Sequence, residues 1–198
     1  MPLAPCSLLF SVTRQREALK ARYNRFFKPE DKVRGVIENQ LASVGTVAPD
    51  FELPALVAGV KKPLRLSAYR GQKNVVLAFY PYNWREASVQ QLTGYQANRP
   101  RVLASNAETV AVTVDSIMNT TTWEREIGPL DFPICADFWP HGEVCARYGV
   151  LRESGVEAGA SERAVFVIDR EGRIAFRKLY GLEEVPPMEE IFPLLGKL

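Results

Sequence analysis

The chain has little of the chemistry on which metal enzymes and disulfide scaffolds depend. It contains one histidine, His141, and three cysteines, Cys6, Cys135 and Cys145. A single histidine without a cysteine cluster cannot supply the ligands of a typical zinc site, so we expect no bound metal and no cofactor. The cysteines are odd in number and lack Cys-x-x-Cys spacing, which favours reduced thiols in a cytoplasmic protein over a disulfide framework.

Long apolar runs are also missing, and the charge is nearly balanced. The apolar stretch at residues 8–10 is too short to span a membrane, and no basic residue precedes it as in a secretory leader. We therefore expect no membrane association. A formal net charge of +2 does not indicate a polyanionic partner. Residues 1–42 hold eight Lys or Arg against four Asp or Glu, but basic helices are usually just solvated, so nucleic-acid binding is not expected.

The amino-terminal part has the pattern of two amphipathic helices. Apolar residues recur at helical spacing over about 13–27 and 30–41, and Pro29 separates the two stretches. Two helices cannot bury such stripes by themselves. We predict that residues 1–43 form a helical extension that packs on the main domain, with a lid or a dimer arm as the alternative.

Residues 44–198 have the pattern of an α/β domain. The run at 75–80 is apolar throughout, as in a strand buried on both faces of a sheet, and Pro81 ends it. Glu86 then opens a helical segment. The other predicted strands are at 64–66, 109–114, 132–135, 164–168 and 174–176, and the other helices are at 120–127, 142–148 and 188–195. Strands separated by helices, followed by a hairpin, indicate a mixed central sheet with helices on both faces.

Ser88 falls in the first turn of the helix that Glu86 opens, just beyond the carboxyl end of the predicted central strand. Open α/β sheets place ligands at this edge. Free N–H groups and the helix dipole favour negative charge there. We therefore take the segment from Pro81 to Ser88 as the candidate site.

Several motifs resemble those of the peroxiredoxins, the thiol peroxidases of the thioredoxin-like fold. They are APDFELP, LSAYRGQKNVVLAFYP, VAVTVDS, FPICADFWPHGEVCARYGV and SERAVFVIDREGRI, in the family's order and spacing. The bacterioferritin-comigratory and one-cysteine AhpE-like branch is the most similar, and the resemblance runs from about Val44 to the carboxyl terminus. It implies a thioredoxin-like fold, a hydroperoxide substrate, a thioredoxin-type reductant if the protein is active, and a homodimer.

The family's activity depends on Pro-x-x-x-Thr/Ser-x-x-Cys after the central strand and on an arginine from a distant strand. The resemblance assigns the proline to Pro81 and the arginine to Arg163. Two positions depart from the motif. Arg85 replaces the hydroxyl residue, and Ser88 replaces the peroxidatic cysteine.

These departures predict a loss of the family's usual activity. A peroxidatic cysteine attacks peroxide as a thiolate and becomes a sulfenic acid, whereas a serine alcohol needs a partner base and has no comparable redox step. Arg85 and Arg163 beside a helix amino terminus would instead suit a small anion, or the region could serve as a protein-interaction surface. Alternatively, Arg85 points to solvent or pairs with Glu86 or Glu162.

Three other interpretations remain open. A relocated cysteine, Cys135 or Cys145, could carry a peroxidase reaction, although buried cysteines usually act as small core residues. Ser88 could be an engineered replacement of cysteine, but the neighbouring residues also differ from the branch pattern. A hydrolase that uses Ser88 and His141 is the weakest interpretation, because the Gly-x-Ser-x-Gly motif is missing.

Overall fold

A computed structural model describes residues 40–198 of the chain. Within them, seven strands form one sheet: β1 Glu52–Val57, β2 Val60–Arg65, β3 Asn74–Phe79, β4 Ala107–Thr113, β5 Ile134–Ala136, β6 Arg163–Ile168 and β7 Ile174–Tyr180. The strand order is β2-β1-β5-β4-β3-β6-β7. Neighbours β3, β4 and β5 are parallel, and the other pairings are antiparallel. The predicted mixed sheet is confirmed, while the helices predicted before Gln40 lie outside the described residues.

The helices of the described residues are α1 Glu86–Ala104, α2 Ile117–Ile127, α3 Glu143–Arg147 and α4 Met188–Leu195, and Leu66–Tyr69 forms a 3₁₀ turn. Helix α1 joins β3 to β4 and α2 joins β4 to β5, because parallel neighbours need a crossover connection. Helix α2 begins at Ile117, three residues before the predicted start. Ser116 explains the difference, since its Oγ accepts a hydrogen bond from the N–H of Asn119 at 3.2 Å and caps the helix.

Strand β3 is buried on both faces, as its apolar run predicts. Its alternate residues point to opposite sides of the sheet. Val76 packs in a cluster with side chains of α1, α2 and α4, including Trp123 of α2. Leu77 and Phe79 pack on the other side, in a cluster with Tyr148 at the end of α3. The predicted helices on both faces are therefore confirmed, and each fully buried large apolar side chain contributes about 1.5–3 kcal/mol of stability.

The backbone disfavours a side chain at two glycine positions, 149 and 172. The hairpin of β6 and β7 confirms the predicted one. Gly172 in its turn has φ of +81°, a conformation that glycine adopts without strain. Gly149 has φ of +72°, and a Cβ atom there would clash with the carbonyl oxygen of Gln40. The backbone of Gln40 and Leu41 can therefore lie against residue 149 only because residue 149 has no side chain.

The free edge of β2 carries Lys61, Lys62 and Pro63, all exposed. Charged residues and proline on an edge strand discourage pairing with other chains. No helix between Gln40 and Leu198 is both long and apolar enough to cross a bilayer.

Candidate functional site

The loop after β3 places Ser88 at the carboxyl edge of the parallel strands. Pro81 follows the strand, Trp84 takes a left-handed backbone conformation with φ of +63°, and Arg85 is the residue before α1. The N–H of Ser88 donates to the carbonyl of Arg85 at 3.0 Å in the first turn of the helix. The sequence prediction for this strand, turn and helix is confirmed, and Ser88 is 0% exposed.

Arg163 reaches the same edge from β6. It is the first residue of that strand, and the next residue, Ala164, pairs with Phe79 at the end of β3. Its Nη2 donates to Ser88 Oγ at 3.4 Å. The carbonyl oxygen of Leu182 accepts from its Nε at 3.0 Å and from its Nη2 at 2.8 Å. Two residues 75 positions apart are therefore in contact, as the family motif implies.

The charge of Arg163 is compensated mainly by uncharged groups. The side chain is fully buried, and Gln91 Oε1 accepts from its Nη1. Burial lowers the pKa of Arg163 from its usual value, and the nearby Glu183 carboxylate opposes this effect. Because arginine keeps its proton in proteins, the site holds a cation whose hydrogen-bond acceptors in the described chain are all neutral.

A chain of hydrogen bonds orients this arginine. Gln91 donates from its Nε2 to the hydroxyl of Tyr95 at 3.0 Å while its Oε1 accepts from Arg163. Burial raises the pKa of Tyr95 to about 12, so its hydroxyl stays neutral. Gln91 and Tyr95 are one turn apart on the buried face of α1. The sequence predicted the helix but not the polar role of these two residues.

Arg85 does not point to solvent or pair with Glu86 or Glu162, so those sequence-based alternatives are wrong. Its Nη1 bonds Glu183 Oε1 at 2.6 Å, and its Nη2 bonds Glu157 Oε1. Glu86 instead accepts from Gln90, and Glu162 pairs with Arg152. Loop residues far along the chain supply the true partners, and no local sequence pattern marks them.

A buried polar network that sequence analysis missed fixes the loop between Pro81 and Arg85. Asn83 is 2% exposed, accepts from the hydroxyl of Tyr80 at 2.9 Å and donates to Asn119 at 2.8 Å. Its backbone N–H donates to Asp115 Oδ2 at 2.7 Å. The indole of Trp84 also donates to Asn119, at 3.2 Å. The sequence signal that could have indicated this network is that Asn83 follows β3 and Asp115 follows β4, and these two strands are parallel neighbours.

The other candidate nucleophiles lie elsewhere. Cys135 and Cys145 are both 0% exposed, and burial raises the pKa of each thiol above its usual value. His141 bonds the carbonyl oxygen of Gly159 at 2.8 Å. Among residues 40–198, no group of three or more His, Cys, Asp or Glu side chains could hold a metal ion.

The sheet is thioredoxin-like, and a buried arginine faces the first turn of the helix after its central strand. These two features together define a peroxiredoxin type of protein. The fold is similar to a reduced 2-Cys peroxiredoxin of Plasmodium vivax, with TM-score 0.71 and 21% identity over 78% of this chain and 80% of that one. It is also similar to AhpC of Mycobacterium tuberculosis, with TM-score 0.69 and 19% identity over 78% of this chain and 92% of that one.

Sequence comparisons identify the family. Residues 44–177 match the AhpC/TSA family model. The chain is 33% identical to alkyl hydroperoxide reductase E of Mycobacterium tuberculosis over 139 residues, which is 70% of this chain and 86% of the relative. It is 34% identical to peroxiredoxin-2 of Bos taurus over 137 residues, 66% of each chain. This chain belongs to the AhpC/TSA family of peroxiredoxins.

Proposed function

We propose that this chain is a peroxiredoxin of the AhpE-like branch that has lost conventional peroxidase activity at residue 88. The observation that carries the proposal is the 3.4 Å contact between Ser88 Oγ and Arg163 Nη2 in the first turn of α1. The motif puts the peroxidatic sulfur at this place, next to the arginine. The similarity to alkyl hydroperoxide reductase E supports the branch.

The chemistry of serine supports the loss. A thiolate attacks the peroxide oxygen, the O–O bond breaks, and the sulfur is oxidised to sulfenic acid while the alcohol or water leaves. Serine would need a base to remove its proton. In the described chain the hydrogen-bond partner of Ser88 Oγ is a guanidinium, which is a donor and cannot act as that base. The same contact weighs against a hydrolase that uses Ser88 and His141.

The placement of Arg85 weighs against an anion-binding pocket built from two guanidinium groups. Both of its terminal nitrogens bond carboxylates, and Arg163 is fully buried with only uncharged hydrogen-bond acceptors among the described residues. A protein-interaction surface is therefore the better supported role for this edge. Cys135 and Cys145 are poor candidates for a relocated peroxidatic residue, because buried thiols of raised pKa form little thiolate.

The partner proposed for this surface is a second copy of the chain, since peroxiredoxins commonly dimerise through sheet edges or the loops around the active site. Trp84 follows β3, and Phe138 and Trp139 follow β5, so parallel strands bring them to one edge. They are 50%, 52% and 82% exposed. Sedimentation should show a dimer that Trp139→Ser weakens and that Leu103→Ser, at the far end of α1, does not. A monomeric parent chain would contradict this assignment.

Peroxide consumption tests the loss of activity. Hydrogen peroxide and an organic hydroperoxide are supplied with a thioredoxin-type reductant, and the parent chain should be no faster than buffer. The double variant Ser88→Cys with Arg85→Thr restores both motif positions and should consume peroxide. Adding Arg163→Met to that variant is the matched control and should remove the gain.

Turnover by the parent chain would overturn the proposal. Its disappearance in Cys145→Ala or Cys135→Ala would then identify the relocated cysteine. Failure of the restored double variant, with an unchanged circular dichroism spectrum, would show that more than two residues of the site have changed.

A further inference from the structure

Arg85 joins three separate segments of the chain at the amino end of α1. Its side chain is 26% exposed and bonds Glu157, in the loop between α3 and β6, and Glu183, which follows β7. The guanidinium carbon lies 5.5 Å from the centre of the Tyr82 ring. A short hydroxyl side chain at this position could not reach both carboxylates, so the bridge depends on arginine.

The segment after β7 is held from two directions. Arg163 donates twice to the carbonyl of Leu182, while Arg85 bonds the carboxylate of the next residue, Glu183. The turn is closed locally, because the N–H of Gly181 donates to Glu184 Oε2 at 2.9 Å. This turn and the Glu157 loop therefore meet at Arg85, the residue before α1, and Ser88 in the first turn of that helix is 0% exposed.

The two ion pairs differ in strength. The Glu157 side chain is 20% exposed, and its Oε2 is buried without a hydrogen-bond partner, so the carboxylate depends on Arg85 for its compensation. Leaving a partly buried carboxylate unpaired is costly. The Glu183 side chain is 69% exposed, and an exposed pair contributes little and is screened by salt. The Glu183 pair is the one that separates first.

We propose that Arg85, Glu157 and Glu183 form an ion-pair latch that controls access to residue 88. The latch is closed in this structure and opens by separation of Arg85 from Glu183. The device concerns the site of the proposed function but does not depend on whether Ser88 is inactive. It is measured by reagent access rather than by turnover, so the two proposals can fail separately.

The test is the alkylation rate of a cysteine placed at residue 88. Ser88→Cys is treated with iodoacetamide, an uncharged reagent, and the modified peptide is identified by mass spectrometry to separate it from Cys6, Cys135 and Cys145. The rate is followed against pH to its plateau, because the plateau reports access while the midpoint reports the thiol pKa. Adding Arg85→Met should raise the plateau by about tenfold or more. Adding Glu183→Gln should also raise the plateau, but by less, because the glutamine oxygen can still accept a hydrogen bond from Arg85.

Matched variants make the result specific. Arg85→Lys keeps the charge but not the two-carboxylate reach, and should give an intermediate plateau. Arg65→Met breaks the exposed pair between Arg65 of β2 and Glu52 of β1 and should leave the plateau unchanged. Raising the salt concentration should increase the plateau of the parent Ser88→Cys chain and have no effect once Arg85 is replaced. Equal plateaus with and without Arg85 would overturn the latch.

Hydrogen exchange provides a second measurement that needs no new cysteine. With Ser88 retained, Arg85→Met should speed amide exchange in residues 181–184 relative to the parent chain, while exchange in β4 stays constant. Unchanged exchange at 181–184 would also overturn the proposal.

Discussion

A cysteine at residue 88 should have a depressed pKa because of Arg163. Two opposite unit charges about 4 Å apart attract by about 4 kcal/mol at an effective dielectric constant of about 20. The observed separation from Ser88 Oγ to Arg163 Nη2 is 3.4 Å. Burial opposes the thiolate, since residue 88 is 0% exposed. A neighbouring opposite charge typically lowers a pKa by about 1 to 3 units before burial is counted, and the helix dipole adds about 0.3–1 kcal/mol in the same direction.

We therefore expect the Ser88→Cys thiol to titrate below about 8.5, the value of a free cysteine, with about 5.5 as the lower limit that the charge alone would give and burial moving it upward from there. The ultraviolet absorbance of the thiolate, recorded as a difference from the parent chain, measures this value. In the double variant Ser88→Cys with Arg163→Met, the pKa should return to about 8.5 or above, because burial remains and the cation is gone. The same pKa with and without Arg163 would refute the electrostatic reasoning.

Three further predictions concern stability. Tyr80→Phe and Asn83→Ala should each lower the free energy of unfolding by about 1–3 kcal/mol, since each leaves a buried polar partner unsatisfied. Their double-mutant cycle, measured by urea unfolding, should give a coupling energy of about 1 kcal/mol. Additive effects would argue against this hydrogen bond. Gly149→Ala should lower the melting temperature by clearly more than Gly155→Ala does, because both glycines have positive φ but only a side chain at residue 149 would clash with backbone atoms. Equal decreases in melting temperature would count against that contact. Burial raises the pKa of Asp137 above 3.8, so folding favours the protonated carboxyl group. The stability of the parent chain relative to Asp137→Asn should therefore fall as the pH rises from 3.8 through the folded-state pKa. A stability difference that does not depend on pH would exclude this shift.

The local part of the site could be predicted because its signals are local. An apolar run, a proline and a change to helical spacing lie within residues 75–95, and they gave the strand, turn and helix correctly. The contact between Ser88 and Arg163 spans 75 positions, and only the family resemblance indicated it.

The partners of Arg85 could not be predicted from the sequence, since they lie 72 and 98 positions away. Their meeting depends on the paths of two irregular loops, for which spacing carries no information. The nearer acids Glu86 and Glu162 were therefore the natural but wrong choice. Asn83 was missed for a related reason, because its partners other than Tyr80 come from the neighbouring strand end and the helix that follows it.

The latch has a consequence for how this site could change over time. The charges of Arg85 and Arg163 equal those of Glu157 and Glu183, so the four groups cancel. A thiolate at residue 88 would leave an excess negative charge, and loss of Arg85 as well would leave two. Arg163 favours a thiolate at residue 88, whereas Glu157 and Glu183 oppose it more strongly once Arg85 is replaced. The balance of these four charges therefore depends on Arg85 as well as on Arg163, so the two positions that depart from the motif, 85 and 88, are coupled through charge.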